Sequence, residues 1–137
     1  MAKRSKTEDA GAFYMLMPTE EAQGEFWTTW RFKKWLVQWN ALLGVASATH
    51  GSKTRIAVID AFSKLRNTTI ELYNTCDEFG LQSIGKQIVN LTDEMNDTVS
   101  QYINNPSTKT LNQIWIVANN KTDELSDLFT KVYAQWD

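Results

Sequence analysis

A chain of 137 residues that is 42% hydrophobic and 22% charged has the size and composition of one globular domain able to bury a core without covalent staples. Its one cysteine (Cys76) and one histidine (His50) exclude an internal disulfide framework and a zinc site of the usual Cys/His kind. The net charge of −2 hides an asymmetry, because residues 1–66 hold ten Lys/Arg against six Asp/Glu and residues 67–137 hold four against ten. That imbalance points the first half toward an anionic partner.

In chain order, residues 1–18 read as an N-terminal arm without helical period. It has a basic tip (Lys3, Arg4, Lys6), then the apolar run AGAFYMLM with Phe13 and Tyr14, and ends at Pro18. The tip lacks the apolar stretch of a secretory signal. Residues 19–137 read as a single helical domain, with helices at about 19–48, 53–79, 81–104 and 106–136. The first opens with TEEAQGE, whose acids suit a helix N-terminus. The second carries Val58, Phe62, Leu65, Thr69, Leu72, Cys76 and Phe79 at 4-3-4-3 spacing, one apolar seam. The third repeats the pattern on Leu81, Ile84, Ile88, Leu91, Met95, Thr98 and Tyr102, out of phase with the second. Gly80 at the break suits a left-handed helix end, which predicts two helices, with one bent helix as the alternative. Asn105 is the expected cap and Pro106 the expected first residue of the last helix, which runs on Leu111, Ile114, Trp115, Ala118, Leu125, Leu128, Phe129, Val132 and Trp136. Long helices on short connections predict an all-α fold, a four-helix bundle-like arrangement with an extended basic arm.

The first helix contains FWTTWRFKKWLVQWN, four tryptophans in thirteen positions. Phe32, Trp35, Leu36, Trp39, Leu42, Leu43 and Ala46 gather on one face as a core stripe. Phe26, Trp30 and Val37 fall on the opposite face with Trp27 beside them. Trp27, Arg31, Lys34 and Gln38 form a basic–aromatic strip. A helix apolar on two sides faces a partner or is covered from outside. Phe26, Trp27 and Trp30, with Phe13 and Tyr14 of the arm, are therefore the expected subunit or partner contacts. The plainer reading folds the arm back over Trp27 and Trp30.

HGSKTR (residues 50–55) opens the second helix with Ser52 as the expected cap. Lys53 and Arg55 follow in the first turn, where cations oppose the helix dipole and where a phosphate would be welcome. GVASATHGSKT has the wrong spacing for a P-loop and follows no strand. With the arm tip (Lys3, Arg4, Lys6), the cations Arg31, Lys33, Lys34, Lys53, Arg55, Lys64 and Arg66 make up the expected nucleic-acid-binding set. Such a surface would hold phosphates without reading sequence. No catalytic residue, metal site, cofactor or small-molecule substrate is expected. The acids Asp93, Glu94 and Asp97 lie off the apolar seam, and there is no Glu-x-x-His pair for a di-iron bundle.

The layout of MAKRSK and the following arm, the helix with Trp27, Arg31 and Lys34, the HGSKTR start and the acidic second half resembles the major coat proteins of filamentous archaeal viruses, the lipothrixvirus and rudivirus group. The resemblance spans the whole chain as a similarity of plan and rests on no diagnostic motif. It implies a structural virion protein whose arm and first helices wrap double-stranded DNA while the bundle forms the outer wall. It also implies self-assembly, often beside a homologous second coat protein, and in some members a lipid envelope. The competing reading is a small helical adaptor or inhibitor of a mobile element that binds a host protein through Trp27 and Trp30. A third is a membrane-surface protein using the same tryptophans with Arg31 and Lys34 as an interfacial strip.

Overall fold

The computed structural model describes residues 19–136, all-helical apart from short connections and without a strand among the described residues. The arm positions Lys3, Arg4, Lys6, Phe13 and Tyr14 lie outside the described residues. Helix α1 spans Glu20–Ala46, α2 Ser52–Glu78, α3 Gln82–Asn104, α4 Thr108–Asn120 and α5 Thr122–Ala134.

Each boundary has a local cause. The Thr19 side chain accepts the Ala22 N–H at 3.0 Å and starts α1, with Glu20 and Glu21 in the first turn. At the start of α2 the expected cap is corrected. Ser52 is already helical, and Gly51 occupies the cap position with no side chain to offer. The Gly51 carbonyl accepts from the Thr54 and Arg55 amides, while the Thr54 hydroxyl donates back to Thr49 O at 2.7 Å. Helices α2 and α3 are separate. Gly80 sits at φ 75°, Leu81 N–H donates to Cys76 O at 2.7 Å, and Gly80 N–H reaches Asp77 O. This is the paired closure of a helix that ends on a left-handed glycine.

The last helix is also corrected. It begins at Thr108, because Ser107 and Thr110 form a reciprocal capping box and Pro106 stays outside. It then breaks at Lys121. The Lys121 N–H turns to Ala118 O, the Thr122 hydroxyl donates to Asn119 O, and Asp123 and Glu124 restart α5. Asn, Thr and Asp are poor interior helix residues and good ends, so NNKTD makes a junction where apolar spacing alone predicted continuity.

Helix α1 packs on α2, α2 on α3 and α3 on α4, and α1 closes against α4 and α5. The predicted seams form the core. Phe32, Trp35 and Trp39 from α1 meet Leu65 and Leu72 of α2, Ile88, Leu91 and Met95 of α3, and Ile114, Leu128 and Val132 beyond. A polar thread crosses this core: Trp35 Nε1 donates to Thr69 Oγ1 at 2.9 Å, and the Thr69 and Thr92 hydroxyls are 2.9 Å apart. Three helices are thereby held in one register, since a slip would orphan buried donors. The loop before α2 is anchored by His50, whose Nδ1 lies 2.9 Å from the Tyr102 hydroxyl.

Candidate interaction surfaces

The N-terminal half of α1 carries the residues that the sequence marks out, and the structure sorts them. Trp30 is 43% exposed, as its face predicts, and Phe26 is half-buried. Trp27 is a correction: it is 3% exposed and belongs to a second apolar cluster with Phe26 and Phe79, separate from the main core. Phe26, Trp27 and Trp30 cluster along the helix with ring centroids 5.0 to 5.8 Å apart, Phe26 edge-on to Trp27 and the other pairs tilted. The end of α2 supplies Phe79, and the chain's last turn supplies Trp136. Both rings crowd Gly24, where a Cβ would lie 3.0 Å from Trp136 and 3.1 Å from Phe79. Gly24 is therefore what lets these rings close over the start of α1.

Arg31 is likewise drawn inward. Its guanidinium lies 5.0 Å from the Trp27 ring centroid and donates to Thr75 Oγ1 at 2.7 Å. Burial lowers its pKa, and the nearby Glu71 carboxylate works in the opposite sense. Its role in holding α1 to α2 is visible, so its expected place on an open basic strip is corrected. Lys34 pairs with Glu71 at 3.5 Å and Lys64 with Asp60 at 3.1 Å, all four side chains remaining largely in solvent. Such exposed pairs contribute little and yield easily to a competing anion.

Lys33, Lys53, Arg55 and Arg66 are exposed and make no ion pair among the described residues. They do not share one strip. Lys33 lies beside Phe26 and Trp30 on α1. Lys53 and Arg55 stand at the start of α2. Arg66 edges a groove of about 210 Å³ between α2 and α3, with Ile70, Tyr73, Val89 and Asp93 around it.

Apolar side chains also emerge elsewhere. Ile56, Ile59, Ile70 and Tyr73 of α2, Trp115 of α4 and Phe129 of α5 are all exposed. Trp115 and Phe129, expected within the apolar run of the last helix, sit beside the stripe that Leu111, Ile114, Ala118, Leu128 and Val132 bury and stay partly in solvent, the Phe129 ring 6.3 Å from that of Phe32. Trp115 borders an open depression of about 390 Å³ with Asn112, Thr108 and the 46–50 loop. Lys121, half-buried, bridges Glu94 of α3 and Glu124 of α5, and its pKa is raised first by the hydrogen bond to Glu94. Among the described residues no three His, Cys, Asp or Glu side chains gather as a metal site, and no helix is long and apolar enough to cross a membrane. Comparison with protein-family models, with curated proteins and with solved structures finds no match to this chain.

Proposed function

We propose that this chain is a structural subunit that assembles into a helical filament and wraps double-stranded DNA without sequence specificity, as the coat protein of a virion. In this reading α4 and α5 together stand as the broken fourth member of a helical bundle, and residues 1–18 serve as a basic arm on the DNA. The observation that carries it is the distribution of exposed apolar side chains over separate faces: Trp30 and Val37 on α1, the isoleucines and Tyr73 on α2, and Trp115 and Phe129 on α4 and α5. Scattered single residues of this kind are ordinary, but ordered rows on several sides suit a subunit with several neighbours. Those neighbours are further copies, a homologous second coat protein or, on the outer wall, an envelope.

Among the described residues Lys33 and Lys53 make no ion pair, so they suit phosphate contacts at low cost. The exposed acids of the second half, among them Asp97, Asp123 and Asp127, suit an outer surface turned away from DNA. The test is binding to random-sequence duplex DNA across about 50 to 500 mM salt, with light scattering recorded alongside. Affinity that falls steeply with salt, together with large particles, is the expected result. A monodisperse small species that ignores DNA at low salt overturns it and leaves Trp30 to a protein partner.

A further inference from the structure

Helix α2 breaks the usual rules at both ends. It has no side-chain cap, no acid in its first turn and no base in its last turn. Instead Lys53 and Arg55 occupy the positive end of the helix dipole, while Asp77 and Glu78 occupy the negative end. The same polarity runs along its length. Residues 52–66 hold four cations and one acid, whereas residues 67–78 hold three acids and no cation. Glu71 pairs with Lys34 of α1 on another side of the helix, while at the acidic end Glu20 and Glu21 of α1 line the same depression as Glu78 and add to the negative charge there.

The outward face of this helix is also apolar. Ile56, Ile59, Ser63, Arg66, Ile70 and Tyr73 follow 3-4-3-4-3 spacing, a second seam distinct from the one that faces the core. Its apolar members are 67%, 39%, 55% and 37% exposed in chain order, and the groove beside α3 adds Val89 to the same surface. A seam with coiled-coil spacing calls for a facing helix. The charge gradient says which helix fits, and in which direction. A parallel copy of α2 would set cations on cations and acids on acids. An antiparallel copy sets each basic end on an acidic end and also opposes the two helix dipoles.

We propose that α2 pairs with α2 of a second copy of this chain, antiparallel about a two-fold axis near Ser63 and Arg66. In this register Ile56 faces Tyr73 of the partner subunit and Ile59 faces Ile70 of the partner subunit. Ser63 lies opposite Arg66 of the partner subunit, with Asp93 across the groove from each Arg66. At the two ends Arg55, one turn before Ile59 on the same face, comes within reach of Asp77 of the partner subunit. The contact is isologous, so each pairing occurs twice. This dimer deepens the reading of the chain as an assembling subunit and rests on it, yet it needs no DNA to form.

Sedimentation of the full chain without nucleic acid, at low and high salt, tests the pairing. A dimer that weakens as salt rises is expected. Ile59→Asp with Ile70→Asp should give a monomer with unchanged far-UV circular dichroism, because both side chains are outside the core. Arg55→Glu and Asp77→Arg should each weaken the dimer about tenfold, and the double variant should return to within about threefold of the native chain. A native chain that stays monomeric, a dimer indifferent to Ile59→Asp with Ile70→Asp, or charge reversals that fail to rescue each other would overturn the proposal. Duplex binding by a persistent monomer would sink this contact and spare the DNA reading. A two-fold dimer that ignores duplex DNA would do the reverse.

Discussion

Gly24 and Gly44 sit on the same helix and carry opposite consequences. A Cβ at Gly44 meets nothing within 4 Å, whereas one at Gly24 runs into Trp136 and Phe79. Gly44→Ala should therefore stabilise by about 0.5–1 kcal/mol through helix propensity alone. Gly24→Ala gains the same propensity but overpacks two rings, and the crowding outweighs it, for a net loss of about 1 kcal/mol. Urea melts of both variants, followed by tryptophan fluorescence, check the pair. Cys76 has a pH signature. Burial pushes its thiol from 9.0 up to about 12, so the folded chain holds this proton more tightly than the unfolded one. Stability from this group is full below about pH 9 and falls as pH climbs toward 12, by up to about 1.4 kcal/mol per unit. Tyr102, also raised by burial with Arg55 opposing, adds to the same trend. Melts between about pH 7 and 10 should show a shallower fall for Cys76→Ala than for the native chain, which isolates the thiol.

At the scale of elements, the legible parts were those written in apolar spacing. Both middle seams bury as their periods predict, with only the end residues Phe79 and Leu81 left half-buried. Gly80 was legible too, since only glycine takes φ 75° without strain. Gly80→Ala should cost about 1–2 kcal/mol and loosen the turn between α2 and α3, measurable as faster hydrogen exchange at the Leu81 amide. The break at Lys121 is not written in apolar spacing. An apolar repeat can continue through a junction whose hydrogen bonds do not, and the NNKTD ends compete with the helix by local bonding. The burial of Trp27 escapes the sequence for a related reason. A helical wheel knows one partner face, whereas the end of this helix meets Phe79 and the chain's last turn, elements more than 50 and 100 residues away in sequence.

Across the whole molecule, cations of equal formal charge have unequal work. Arg31→Ala removes the bond to Thr75 and the contact with Trp27, and should lower stability by about 1–2 kcal/mol while leaving duplex affinity nearly unchanged. Lys33→Ala should do the reverse, weakening duplex binding and reducing its salt slope by about one contact without moving the melting temperature. Thermal melts and salt titrations on the two variants separate these outcomes. The sequence by itself determined the helical class, the main core stripe and the charge imbalance between halves, because periodicity and composition are local properties that burial and solvation read directly. Tertiary structure decided which cations are already spent, which tryptophan is inside and which face of α2 stays open. Those depend on contacts between distant helix ends, where close approach at Gly24 or a carboxylate at Glu71 outweighs the preference of any single helix.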